Sequence, residues 1–498
     1  MSRRRLPGGR ASTQSLQPSG RASAQLLAVV LLLAVALLLA SALAGCGKSL
    51  PGEGQDRGAG VTTVPGAGTL VASGVATKNT TRLGGADAVA DAAAVALAVN
   101  PGLTPATRPA AVVLVNDRDW TAALAASALA GAPLGAPLLY AEGDTLPAIS
   151  REALSALKPR GSALLGGAQV IEIDTSAAPA GYRTRAVVAT TPADEAGSSA
   201  TGGGAANGGA AGGGEAGGAA SEAGGAAASE AALAVRIERL VAAARGGAPR
   251  RVIVVGADGP QTLAMPAAGL AAETGAPVFG VGARSIPRAT RRLLASLRRP
   301  VIYAIGPPAA VSEAVLAKLS RLGTVRRIAA GPGTPASLTV GSRGRNLEAT
   351  SEAVANAIAV ARYRDGAFGW GVEEPGHGLV FANAARPLDA PAAAPLSASG
   401  DFGPLLLLET PARLPAAVAH YLSDIQSSYP EDEPTRGFYN HGWLIGDELA
   451  IAATTQATLD AMLEIVPHSS TGAASEASVP AEAESPTEPT SPREPTSP

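Results

Sequence analysis

Short, uninterrupted apolar runs alternate with Ala-rich stretches along the middle of this chain, and the alternation occurs three times. The first copy reads Ala111-Val-Val-Leu-Val115, Asn116-Asp-Arg-Asp-Trp120, an Ala-rich run, Gly135-Ala-Pro137-Leu138-Leu139, Leu146-Pro147 and Leu164-Leu-Gly166-Gly167. The second runs from Arg251-Val-Ile-Val-Val255 through Gly275-Ala-Pro277-Val-Phe279 and Ile286-Pro287 to Tyr303-Ala-Ile305-Gly306. The third runs from Leu379-Val-Phe-Ala382 through Gly403-Pro404-Leu405-Leu406 and Leu414-Pro415 to Leu444-Ile445-Gly446. Pro137, Pro277 and Pro404 each stand 22 residues beyond the last residue of the preceding apolar run, and the next proline follows after 10, 10 and 11. The glycine taken to close each copy follows 19, 19 and 31 residues later, the long third gap holding a polar insert around Ser427–Pro434. Fixed gaps in three copies mark an internal repeat.

Apolar runs without polar alternation predict strands buried on both faces, as in a parallel sheet covered by helices. Strands alternating with helical runs predict α/β units with right-handed crossovers. The expected fold class is therefore α/β, with three tandem Rossmann-like repeats, each holding a short parallel sheet. The repeats are placed at residues 76–195, 229–330 and 331–467. Between the first two, residues 196–228 are almost entirely Gly, Ala, Ser and Glu. Such a stretch buries too little apolar area to offset its ordering entropy, so it reads as a disordered insert. A helix with Leu233, Ile237, Leu240 and Val241 on one face is expected from Glu230. Another, through Ala353, Ala357 and Ala361, introduces the third repeat after Arg345-Asn-Leu347. Residues 468–498 are rich in Ser, Thr, Pro and Glu and read as a disordered tail.

The N-terminus changes the picture from a plain globular chain. Arg3-Arg4-Arg5 precede an apolar run from Leu26 to Ala44, the charged and hydrophobic regions of a secretory signal. The run is long enough to span a bilayer, so a retained anchor is the alternative. Leu43-Ala44-Gly45-Cys46 resembles the lipobox of bacterial lipoproteins, and Cys46 is the only cysteine. That resemblance implies cleavage before Cys46, lipidation there, and a membrane-held protein, with residues 1–45 the signal peptide and 46–75 a Gly/Pro-rich tether. A lone cysteine excludes an intramolecular disulfide and a multi-cysteine metal site. Charge is sparse (16%) and nearly balanced at −2, so attraction to nucleic acid is not supported.

The repeats themselves resemble the type-2 cell-wall-binding repeat of Gram-positive surface proteins. Arg82-Leu83-Gly84-Gly85-Ala86-Asp87 matches that family's helix start, and Asp389-Ala390-Pro391-Ala-Ala-Ala-Pro395-Leu396 matches its Asp-Ala-Leu-Ala-Ala-Ala-Pro-Leu run. Its Pro-Ile-Leu-Leu strand is matched by Pro137-Leu138-Leu139, by Pro277-Val278-Phe279 and by Pro404-Leu405-Leu406. The second copy has Thr262 where the family has Asp, and it lacks the Arg-Leu helix start. The resemblance implies three modules around a pseudo-threefold axis and non-covalent attachment to anionic cell-wall polymers. It also implies that the Pro-Leu-Leu strands (Pro137, Leu138, Leu139, Pro277, Pro404, Leu405, Leu406) and the loops after them lie near the contact surface.

An anionic polymer needs cations, and the second repeat supplies them in Arg284, Arg288, Arg291 and Arg292, the last three on a helix expected after Ile286-Pro287. The guanidinium fork suits phosphate and carboxylate. A solvated helix face, or salt bridges to the acidic third repeat, are the alternatives. Catalytic chemistry finds no constellation. His377, His420, His441 and His468 lack metal-ligand spacing, and His441 reads as a packing residue. Asp117 and Asp119 follow a strand end, where α/β sheets place ligands, but read better as helix caps. Trp120, Trp370 and Trp443 stand at non-equivalent positions and read as core or rim packing rather than sugar-stacking platforms. The expectation is a non-enzymatic surface lipoprotein of the cell envelope that binds wall polymer, with no cofactor or metal. A lipid-anchored solute-binding protein using clefts between modules is the alternative. An envelope hydrolase is a third class.

Overall fold

A computed structural model describes residues 75–189, 216–330, 351–398, 402–430 and 438–468. The signal region, Cys46, the tether, most of the 196–228 insert, Arg345-Asn-Leu347 and nearly all of the tail lie outside the described residues.

Three four-stranded sheets carry the chain, and every pair of neighbouring strands is parallel. The first joins β2 (Val112–Asn116), β3 (Leu138–Ala141), β4 (Val170–Ile173) and β5 (Thr184–Val187) in the order β3-β2-β4-β5. The second joins β6 (Arg251–Gly256), β7 (Val278–Val281), β8 (Val301–Ile305) and β9 (Thr324–Ile328) in the order β7-β6-β8-β9. In the third, β11 (Phe402–Leu408), β10 (Gly378–Asn383) and β13 (His441–Ile445) repeat the pattern, but the fourth place is taken by β1 (Thr80–Leu83). The strand that precedes the first module thus completes the sheet of the last. Within the long third gap, β12 (Ser428–Pro430) pairs with β14 (Val466–His468) as a separate small sheet.

Eleven α-helices are described. In chain order they are α1 (Ala88–Val99), α2 (Trp120–Ala126), α3 (Ala148–Leu157), α4 (Ala216–Arg245), α5 (Pro266–Thr274), α6 (Arg288–Ser296), α7 (Glu313–Leu319), α8 (Glu352–Arg362), α9 (Asp389–Ser397), α10 (Ala416–Asp424) and α11 (Ala453–Met462). α4 begins well before Glu230, inside the stretch expected to lack structure. Alanine is the best helix former, and here it outweighs the interspersed glycines. The predicted face of α4 is correct: Leu233, Ile237, Leu240 and Val241 are all buried.

The expected spacing translates into equivalent register. Val113 pairs with Leu138, Ile253 with Val278 and Val380 with Leu405, so each of the three prolines sits one residue before the same ladder position. All three lie at or in edge strands, where a missing N–H breaks no ladder. The second prolines are also equivalent: Pro147, Pro287 and Pro415 cap α3, α6 and α10 with ψ of 149°, 144° and 137°. One gap was a coincidence. Gly166 and Gly167 do not end a strand; both have positive φ and form a turn, and the strand proper is Val170–Ile173. The residue that follows it, Asp174, adopts φ of 50° where Gly306 and Gly446 adopt 106° and 95° after β8 and β13.

The modules meet through α2 with its 3-10 extension Ser127–Leu129, α5 and α9, which contact one another around the pseudo-threefold axis. Their sequences are dominated by Ala, and α9 is buried along its whole length. Small side chains let helix backbones approach closely; a Cβ on Gly131 would lie 2.1 Å from the Ala272 carbonyl oxygen. A helix apolar all round belongs in an interior.

Candidate functional site

The point where β1 enters the third sheet carries the densest polar network. Arg82, 4% exposed, donates from Nη1 to the carbonyls of Gly446 (3.0 Å) and Asp447 (2.7 Å). Nη2 donates to Ile451 O (2.6 Å) and Gln456 Oε1 (2.9 Å). Arg327 occupies the same place in the second sheet, donating to Gly306 O and Val311 O, both at 2.6 Å. Arg82-Leu83 is therefore the end of a strand and not a helix start; only Asp87 caps α1, accepting from Ala90 N at 2.8 Å. The strand before α4 ends in Ala186-Val187 at this position, so the second repeat does lack the pair, while Arg327-Ile328 supplies it ahead of α8.

Beside this network two carboxyls meet one guanidinium. Asp91 on α1 and Asp389 on α9 have fully buried side chains that face the same guanidinium. Arg386 is ion-paired with Asp91, and its Nε lies 2.9 Å from Asp389 Oδ2. Gly85 N donates to Asp91 Oδ1 at 2.6 Å, and Tyr140 of β3 donates to the carbonyl of Leu388 at 2.7 Å. Burial first, then the Asp389 charge, pushes Asp91 up to about 9, against the pull of Arg386. Burial also raises Asp389, to about 6, with Arg386 again opposing. One guanidinium balances one carboxylate, so the second carboxyl holds a proton. Gly84 closes over the pair at φ of 123°, where a Cβ would fall 2.1 Å from Asp91 Oδ1. The sealed arrangement joins β1, α1 and α9 and is built to hold them together. Asp389, the head of the signature run, is a joint between the first and third modules.

The junction of modules 1 and 2 is looser. Burial first, then the Asp119 charge, pushes the Glu230 carboxyl of α4 above its ordinary value, with Thr121 of α2 opposing. Thr121 in turn donates to Asp119 Oδ1 at 2.9 Å. A cavity of about 110 Å³ here is lined by Thr121, Glu230, Asp258 and Ser285. A neighbouring one of about 410 Å³ shares Thr121 and Glu230 and adds Asn116, Asp119, Trp120 and Gln261. Both lie at the carboxyl ends of strands. Asp119 caps α2 as expected, accepting from Ala122 N at 2.8 Å, whereas Asp117 is not a cap. At the junction of modules 2 and 3, Asn356 donates to Leu263 O at 2.8 Å.

The other residues picked out in the sequence divide sharply. Pro137, Leu138, Leu139, Pro277, Pro404, Leu405 and Leu406 are all buried inside the sheets. They form the core, and a surface polymer cannot reach them; the expected contact is corrected on that ground. Arg284, Arg288, Arg291 and Arg292 are all exposed. α6 buries Leu294 and packs on α4, leaving its arginine face outward, while Lys318 Nζ donates to the Arg284 carbonyl at 2.6 Å. Arg326 crosses to the third module and pairs with Asp365, which also accepts from Tyr303 Oη at 2.6 Å. His441 packs: its Nε2 lies 3.0 Å from Thr81 Oγ1, its ring meets Trp443 edge-on, and burial lowers its pKa. Trp120, Trp370 and Trp443 are half-buried against the core. Arg185, Arg236 and Arg239 escaped sequence reasoning, yet line one groove of about 500 Å³. Among the described residues no group of His, Cys, Asp and Glu could hold a metal, and no helix is long and apolar enough to cross a membrane.

No family model matches the chain, and no curated protein matches it. Among solved structures it is similar to Cwp6 from Clostridium difficile, with a TM-score of 0.51 and 16% identity over 78% of this chain and 48% of that one. This chain spans about half the length of that protein, and at such identity the likeness is one of fold.

Proposed function

We propose that the chain is a non-enzymatic, lipid-anchored protein of the cell envelope that binds anionic wall polymers. The observation that carries the reading is the outward arginine face of the second module, Arg284, Arg288 and Arg291 with Lys318 beside them. The fold likeness to Cwp6 and the Leu43–Cys46 tetrad are consistent with it. Guanidinium groups left in solvent attract a polyanion through charge-assisted hydrogen bonds, and salt weakens that attraction.

The test is co-sedimentation with purified walls, before and after extraction of secondary polymers, across a salt series. Retention should fall with salt, fall on extraction, and fall again in Arg284→Gln/Arg288→Gln/Arg291→Gln. Unchanged retention on stripped walls would reject polymer binding. Cells treated with globomycin should accumulate uncut precursor if Cys46 is lipidated. The roughly 410 Å³ cleft between modules 1 and 2 favours a second reading, a solute-binding protein. Thermal stabilisation by a small solute, with no wall retention, would select it.

A further inference from the structure

The groove between β5 and α4 is lined by three arginines and by no acidic residue. Arg185 comes from β5, and Arg236 and Arg239 from α4, one turn apart. Leu165, Val187 and Leu240 give it an apolar floor, and Leu164, half exposed, stands at its rim. β5 is an edge strand whose first three residues face solvent, so it leaves backbone donors along the groove. The edge-strand arginines Arg82 and Arg327 of the other two sheets are turned inward onto carbonyls. At their position in the first module stands Ala186. The first module thus lacks the inward arginine, and Arg185 one residue earlier is exposed.

We infer that this groove is an oxyanion-binding site for an extended anionic polymer, which it engages through Arg185, Arg236 and Arg239. This rests on the proposed polymer binding and locates a contact that the α6 arginines do not make. The occupant is a polymer and not a free ion because the groove is open and its three forks stand on separate elements, β5 and α4. Such a spread suits successive charged groups better than a single one. Phosphate and carboxylate share the recognition chemistry.

The full mature chain is titrated with poly(glycerol phosphate), polygalacturonate and inorganic phosphate as separate arms. Arg185→Gln/Arg236→Gln/Arg239→Gln should lose at least about ten-fold in affinity for poly(glycerol phosphate), since it removes all three charge-assisted donors. Leu164→Glu, which leaves the arginines in place and puts an anion at the rim, should weaken binding in the same direction and guards against misfolding of the triple variant. Equal losses with polygalacturonate would extend the site to carboxylates, and loss with poly(glycerol phosphate) alone would fix it as phosphate-selective; both support the site. Tight binding of inorganic phosphate alone would overturn the polymer assignment. Full affinity in both groove variants, with loss only in the α6 triple variant, would overturn the groove and leave polymer binding standing. No binding of either polymer by the wild type would remove both.

Discussion

The second and third sheets have the same strand order and the same inward arginine, yet they are closed differently. The second is completed by β9, joined to β8 through α7 in continuous chain, and Arg327 there keeps a side chain 20% exposed and paired with Glu313. The third is completed by β1, more than 350 residues away from β13, and Arg82 there is 4% exposed with four carbonyl and amide oxygens around it. Bringing distant segments together costs loop-closure entropy that a local strand does not incur, although that cost grows slowly with length. The closure where chain continuity is missing is also the one reinforced by a buried Asp–Asp–Arg joint. The contrast suggests that these networks hold the ring shut.

Three substitutions test that contrast, the first with the largest expected effect. Arg82→Ala should destabilise by roughly 3–4 kcal/mol in chemical denaturation, because it orphans buried carbonyls at about 1–3 kcal/mol each. The partner change Arg327→Ala should cost only about 1–2 kcal/mol, since its guanidinium is partly exposed, pairs with an exposed Glu313 and holds two backbone carbonyls where Arg82 holds three. Equal losses would dissolve the distinction between the two closures. Gly84→Ala should cost about 1–3 kcal/mol, because its φ of 123° is foreign to L side chains and its Cβ would strike Asp91. Hydrogen exchange should then quicken in β1 and α1 before it does in the second module.

A further effect is a slope. Asp91 is raised from 3.8 to about 9, so between those values the folded state binds more protons than the unfolded one, and stability falls as pH rises. The stabilising contribution is present at acid pH and is lost progressively as pH climbs toward about 9. Asp91→Asn should flatten the stability–pH profile over that range while leaving Arg386 paired with Asp389. The junction of modules 2 and 3 should show the opposite slope, weakening at acid pH, because Tyr303 and Arg326 hold Asp365 below its ordinary value there. A profile unchanged by Asp91→Asn would detach the joint from ring closure.

The strands and their prolines were legible because edge-strand geometry fixes where a proline can sit, and local spacing records it. Gly166-Gly167 misled because the letters matched a strand end while the dihedrals make a turn. Arg82-Leu83 read as the beginning of a helix because the strand it ends has no partner within its own module. Asp389 was visible as a word of the repeat, but its partner Asp91 was hidden among alanines of a helix two modules away. Arg185 and the pair Arg236 and Arg239 gave no signal together, since only the packing of α4 along β5 brings them to one groove.

The sequence by itself determined three α/β units, their strand register and the outward arginines of α6. These follow from apolar runs, fixed gaps and amphipathic spacing, which act over tens of residues. Only the tertiary structure decided that β1 completes the last sheet, that the Pro-Leu-Leu strands are interior, and which charges are sealed or open. Those outcomes depend on contacts between segments far apart in the chain, where burial and partner set the energy of a charge and local pattern carries no record of either.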